Sequence, residues 1–377
     1  MCDGDLQYLS VQRKPGSNCD STDILIRDNQ GQVNFVLRKK IRTMGKTWTA
    51  ISLSLLTMGL AALTARAAIE GEKSTHAPSY LSLFSVAIRP SDGAIFAVGS
   101  KALMMASTDH GKNWIQATLP VHDGGPLFQD QDLYSIRFGP DGKTAFVVGE
   151  AGTILRSTDG AETWKRLESG TTKNLMKVTV IDDKSVIAVG TDGIIVRTDD
   201  GGDHWKTIAS PKNIVLFDVT FTDKNTGWIA GEFSTVMNSV DGGLTWKVVT
   251  GGNVIDFTIG PYFTINFIDA QHAVVGGLAG EMATSDDGGK TWKPGKLPDQ
   301  VGAYAFAVDA TAKKLWVAGT GGRTFAEAVG GQWQEVTRTT FNDITDIAIS
   351  GNQGVMVGLN GTILLTDNAG EKWQAVQ

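Results

Sequence analysis

Glu150 and Glu232 are the residues of this 377-residue chain whose type could divide acid and base chemistry between them. Each follows a β-rich run ending in glycine, in the stretches VVGEAG and IAGEF. Two carboxylates about 5 to 9 Å apart can protonate a glycosidic oxygen and attack the sugar from the other side. Both, however, sit beside turn glycines in separate segments, where a solvated carboxylate is the ordinary outcome. Other chemistry falls away sooner. The five histidines, at 76, 110, 122, 204 and 272, never fall at metal-ligand spacing. The acidic runs from Asp199 to Asp203 and from Asp286 to Gly289 lack the glutamate that closes a calcium loop at its twelfth position. GTGGR, at 319 to 323, is followed by strand-forming residues, whereas a phosphate cradle needs a helix N-terminus. No nucleophile elbow, P-loop or dinucleotide fingerprint occurs in its proper context. No cofactor or metal site is expected.

The elements that would position these residues follow from a repeat. Tryptophan recurs at 114, 164, 205, 246, 292, 333 and 373, at intervals of 50, 41, 41, 46, 41 and 40 residues. The octets ending on the first five read STDHGKNW, STDGAETW, TDDGGDHW, SVDGGLTW and SDDGGKTW. The sixth copy has decayed to AVGGQW, and the seventh, TDNAGEKW, carries Asn368 in place of aspartate. Upstream of each octet lie three short β-rich runs separated by turn signals, as in LYSIRF, TAFVVG and TILRS. Four short strands in a unit of about 43 residues are the pattern of a propeller blade. The predicted fold is therefore all-β, a seven-bladed β-propeller spanning 83–377.

The octet resembles the Asp box of BNR-type propellers, and its chemistry is that of a turn. Asp109, Asp159, Asp200, Asp241 and Asp287 can each accept backbone N–H groups, while glycine supplies positive φ and the hydroxyl residue closes the turn again. Trp114, Trp164, Trp205, Trp246 and Trp292 then open the outer strand with a large area to bury between blades. These are read as structural residues, ahead of a ligand-binding or metal-binding role.

Ahead of the repeats, Met44, Gly45 and Lys46 lead into an apolar run from Ala50 to Leu63, followed by Ala65, Arg66 and Ala67. A basic start, a short apolar centre and an A-x-A end make a secretory signal at 44–67, cleaved near Ala67. Residues 1–43 are polar and irregular and read as an over-extended or disordered start, and 68–82 as a lead-in. The mature protein is then periplasmic or secreted. Both cysteines, Cys2 and Cys19, fall before the cleavage point, so no disulfide is expected. The chain carries 34 basic and 40 acidic residues. The first 67 hold 9 and 5, which leaves 25 and 35 and a net charge of −10 on the body. A body that acidic is a poor partner for nucleic acid.

Together with the octets, GWIAGE (Gly227 to Glu232) and VGEAGTILRS (Val148 to Ser157) resemble the Ycf48/Hcf136 family, the photosystem II stability and assembly factors. The resemblance runs from about Leu83 to Gln377. It implies a seven-bladed propeller that acts without catalysis as an assembly chaperone for membrane protein complexes. It extends to bacterial relatives outside photosynthesis, among them exported accessory proteins associated with exporters.

Strand order divides the propeller into two faces. Asp boxes share the bottom with the turns between first and second strands, and the top receives the turns between second and third strands. The connections between blades, the longest being Leu119 to Asp132 and Thr250 to Pro261, also project at the top. Glu150, Asp192, Glu232 and Asn360 are thereby the candidate interaction residues. The leading expectation is an exported, non-enzymatic scaffold for a membrane-associated protein partner, with an exporter as its most specific form. The alternative is a carbohydrate-active protein, either a sialidase-like glycosidase or a lectin-like binder. Sialidases share Asp boxes but resemble six-bladed propellers with an F/Y-R-I-P motif, against which VAIRP around Arg89 is a poor match.

Overall fold

The computed structural model describes residues 80–116, 130–250, 260–309, 314–328, 332–336 and 338–376, with Pro78 and short strands at 8–12, 21–27, 33–40, 73–74 and 121–122. The chain divides into two compact units between Arg66 and Ala67. In the first, Tyr8–Gln12, Ser21–Arg27 and Val33–Lys40 pair antiparallel in chain order. The expected signal segment at 44–67 lies outside the described residues, as does most of both long interblade connections. Among the described residues no helix is long and apolar enough to cross a membrane.

The second unit is a seven-bladed β-propeller, as the seven tryptophan-marked units predict. Every blade contains four antiparallel strands in chain order. The innermost strands, in blades 1 to 7, are Leu83–Ile88, Leu133–Phe138, Leu175–Val180, Leu216–Phe221, Tyr262–Phe267, Ala303–Asp309 and Ile344–Ser350. The second strands, such as Ile95–Gly99 and Ala145–Gly149, are buried at every position apart from the first residues, Lys314 and Gln353, of those in blades 6 and 7. Alternation is lost there because neighbouring blades cover both faces of the sheet, so apolar residues are favoured throughout.

Seven apolar clusters fill the seven interfaces, and an Asp-box tryptophan or its counterpart enters each one. Trp164 of blade 2 packs with Phe96 and Ala87 of blade 1. Trp373 of blade 7 packs with Trp316 of blade 6. Each such indole removes about 150 to 250 Å² from water, worth roughly 4 to 6 kcal/mol before the entropy of ordering is counted. The glycine that ends each second strand is needed for close approach. A Cβ on Gly99 would fall on the Ser82 carbonyl oxygen.

Among the described residues the ring closes by packing of complete blades, without exchange of a strand between the last and the first. Val355, Val357 and Ile363 of blade 7 join Leu83, Ile95 and Trp114 of blade 1 in one cluster. Asp346 Oδ2 accepts hydrogen bonds from Ser85 Oγ (2.8 Å) and Val86 N (3.0 Å), and Thr345 Oγ1 donates to the Leu83 carbonyl (2.7 Å). The lead-in does contribute a strand, but at the outer edge. Lys73–Ser74 pairs with Trp114–Gln116 as the fifth strand of blade 1, and Val121–His122 adds a fifth strand to blade 2.

Candidate functional site

At the bottom face, each Asp box is a closed hydrogen-bonded turn. In blade 2, Asp159 accepts from Ser157 Oγ (2.7 Å), Glu162 N (3.1 Å), Thr163 N (3.0 Å) and Thr163 Oγ1 (2.5 Å). Ser157 Oγ in turn accepts from Ala161 N at 2.8 Å. The bonds from the upstream hydroxyl and from the amide four residues on recur around Asp109, Asp200, Asp241 and Asp287, with the Asn113 and His204 side chains in the place of Thr163 in blades 1 and 3. Trp114, Trp246 and Trp292 each donate from Nε1 to the box glycine carbonyl three residues earlier, at 3.0 to 3.1 Å. Burial pushes the Asp159 carboxyl up, but the Thr163 and Ser157 donors outweigh it and hold the group below the ordinary carboxylate value. Asp287, bonded to the Thr291 hydroxyl and amide, is drawn down to about 2. Carboxylates with this many internal donors have little left to offer a ligand. Among the described residues, no group of His, Cys, Asp and Glu is arranged to hold a metal ion.

At the top face the four interaction candidates lie in equivalent turns of blades 2, 3, 4 and 7, with different commitments. Glu150 and Glu232 fold back onto their own blades. Glu150 accepts from Asp132 N (3.0 Å) and Tyr134 OH (3.3 Å), and Glu232 from Val215 N (2.8 Å). Each clasps the chain as it enters the innermost strand, as Ser100 and Thr320 do in blades 1 and 6. Burial, aided by the Glu150 and Asp132 charges, pushes the Tyr134 phenol upward and keeps it a donor. Asp192 and Asn360 instead occupy the tip of the turn, each at φ +54°. Asp192 is 65% exposed and faces Lys173 Nζ at 3.6 Å. Asn360 Nδ2 donates to Asn342 Oδ1 at 3.1 Å. Such left-handed backbone suits Asp and Asn better than most residues. Arg89 is committed as well, to Asp92 (2.8 Å), to the Gly160 carbonyl and to the face of Phe96.

The innermost strands carry a feature that no motif announced. In all seven blades the pairing register slips between the first and third residues, leaving the second as a bulge. A bulge re-aims the extra side chain, here at the strand edge that borders the axis. The bulged residues are Phe84, Tyr134, Met176, Phe217, Phe263, Tyr304 and Thr345, all half-buried. Neighbouring rings touch around the axis: Phe84 with Tyr134 at 5.8 Å between centroids, Phe217 with Phe263 at 4.9 Å, and Phe263 with Tyr304 at 5.4 Å. An aromatic collar therefore stands at the top mouth. It went unseen in the sequence because the register slip alone sets these positions apart.

This architecture has a counterpart among known proteins. The family model described as Photosynthesis system II assembly factor YCF48 matches residues 82–210, 203–259 and 255–377. The chain belongs to that family. Solved structures with the same fold include a YCF48 bound to D1 peptide (22% identity, 78% of this chain and 95% of that chain, TM-score 0.63). YCF48 from Cyanidioschyzon merolae is 17% identical over 78% of this chain and 98% of its own, also with a TM-score of 0.63. The RRP9 WD40 repeats superpose at 14% identity over 79% of this chain and 100% of theirs, with a TM-score of 0.61. No curated protein matches the chain.

Proposed function

We propose that this protein is an exported, non-enzymatic scaffold that presents the top face of its propeller to a membrane-associated protein partner. Membership of an assembly-factor family across residues 82–377 carries the reading. The distribution of free groups supports it: Asp-box carboxylates are satisfied internally, while the top has an aromatic collar and the exposed Asp192. That a YCF48 of this fold takes up a D1 peptide supports a protein ligand. Export rests on the signal pattern from Met44 to Ala67, and a partner within an exporter is the most specific form of the proposal.

Pull-down of the tagged full chain from membranes of its native host, read by mass spectrometry, tests the proposal. A membrane protein should be retained, and Asp192→Asn should weaken its capture with thermal stability unchanged, because asparagine suits the left-handed backbone and an exposed turn charge contributes little to the fold. A screen against aryl glycosides, sialosides included, should show no turnover. Turnover lost in Glu150→Gln or Glu232→Gln would overturn the scaffold reading.

A further inference from the structure

We infer that the axial channel below the aromatic collar is a binding pocket for a small carboxylate, reached from the Asp-box face. The observation is a cavity of about 110 Å³ among the innermost strands, with Arg137, Lys177, Asp218, Thr264, Asn266 and Asp346 in its wall. A larger cleft of about 490 Å³ opens at the bottom between blades 4 and 5, bordered by Thr222, Asp223 and Asp269. Thr220 and Asn266 line both, so the cleft and the channel adjoin at these two side chains. At the other end stand the collar rings.

The acids and the cations of the wall are unequally engaged. Asp218 accepts from Val219 N and Ile265 N, both at 2.9 Å. Asp346 accepts from Ile347 N (3.0 Å), Val86 N (3.0 Å) and Ser85 Oγ (2.8 Å). Both acids thus tie one blade to the next, and short amide bonds meet their charge. Burial pushes Asp346 up, but Arg137 and Lys177 together with the Val86 and Ser85 bonds bring it below its ordinary value.

The cations are less well served. Lys177 Nζ lies 3.6 Å from Asp218 Oδ1, too long for a hydrogen bond. Arg137 makes its contacts through Nη1 alone: 2.7 Å to the Ile136 carbonyl, 3.2 Å to Ser85 Oγ, and 3.4 Å to both the Val86 carbonyl and Asp346. A guanidinium has five N–H donors and an ammonium three. Blades 2 and 3 are neighbours, so their surplus donors form one positive sector of the wall. The hydroxyl of Thr220 and the Asn266 amide, whose own bonds are 3.5 Å long, stand on the side of the cleft. Both cations face a buried carboxylate only at long range and remain partly exposed to the channel, so an acceptor-rich ligand can take the place of water there, and a carboxylate can bridge a guanidinium and an ammonium. At roughly 30 Å³ per water, the cavity has room for a few waters or for an acid of the size of acetate or lactate.

The pocket is independent of the partner proposed for the top face. It is tested on the full chain by titrating ¹³C-acetate and following backbone amide shifts. Saturable binding at ~1 to 20 mM, with shifts centred on Lys177, Val219, Ile265 and Asn266, is expected for a site of this size. Lys177→Met should weaken binding on the order of tenfold, while Lys177→Arg should retain it. Acetamide, which has the same shape but no charge, should not compete. Acetyl-dialanine with a free or an amidated C-terminus distinguishes a chain-end carboxylate from a free acid, since only the former would bind as well as acetate or better. Absence of saturation in the wild-type chain, shifts centred elsewhere, or acetamide binding as tightly as acetate would each overturn the inference, whether or not the variants fold.

Discussion

Replacing Asp159 by alanine removes four acceptor interactions at once: those with Ser157 Oγ, Glu162 N, Thr163 N and Thr163 Oγ1. At about 0.5 to 1.5 kcal/mol net for each, the gross loss is roughly 2 to 6 kcal/mol. Asp159 is exposed, so water takes over much of the bonding, and the expected cost falls to about 1 to 2 kcal/mol. In a propeller of this length that corresponds to a fall in Tm of about 2 to 4 °C. Blade 7 contains a natural control: Asn368 still accepts from Thr366 Oγ1 (2.7 Å) and Lys372 N (3.1 Å). Asp159→Asn should therefore lose less than Asp159→Ala. The folded Asp159 carboxyl lies below its ordinary value of 3.8, so its contribution is complete above that pH and disappears as pH falls through the folded value. Circular dichroism melts of the three proteins at neutral pH and near pH 3 decide the matter. Equal Tm values at neutral pH, or an alanine penalty that does not shrink at all as pH falls below 3.8, would refute the reasoning.

Glu327, half-buried in the third strand of blade 6, is pushed up from 4.5 to about 7 by burial alone. Its ionisation therefore destabilises the fold as pH rises from about 4.5 through 7, by roughly 3 kcal/mol at full burial and about 1 kcal/mol after allowance for solvent. Glu327→Gln should raise Tm by about 2 °C at pH 8 and leave it unchanged at pH 4, as melts across that range will show. Gly289, at φ +82°, sits where a Cβ would enter the Trp228 indole, whereas Gly170, at φ +73°, has open space around it. Gly289→Ala should cost about 2 to 4 kcal/mol and Gly170→Ala about 1 kcal/mol, measured by urea denaturation. Intact-mass analysis of the protein from its native host should find Ala68 as the first residue, and recovery of a chain that starts at Met1 would exclude cleavage.

The fold was legible because every Asp box fixes a register: Ser157, Asp159 and Trp164 recur in one spacing, and the strands can be counted from them. The fifth strand of blade 2 escaped notice because Val121–His122 pairs over two residues only, too briefly to leave a pattern. The channel was opaque for the opposite reason. Its third strand positions read Ser85, Ser135, Lys177, Asp218, Thr264, Ala305 and Asp346, so the repeat that reveals the blades carries no signature at the axis. Glu150 and Glu232 stood out by residue type and turn position. Their reach back to the amides of Asp132 and Val215 is set by the fold and leaves no mark in the sequence.

Cross-linking mass spectrometry on the full chain captured with its membrane partner tests the central claim most directly, because lysines mark both faces. Lys101 and Lys173 stand at the top, beside the turns that hold Asp132 and Asp192. Lys112, Lys143, Lys184 and Lys290 lie at the bottom, in the Asp boxes and the turns between first and second strands. The scaffold account predicts partner cross-links concentrated on Lys101 and Lys173. Cross-links concentrated on the bottom lysines, or no membrane protein retained above an untagged control, would contradict it.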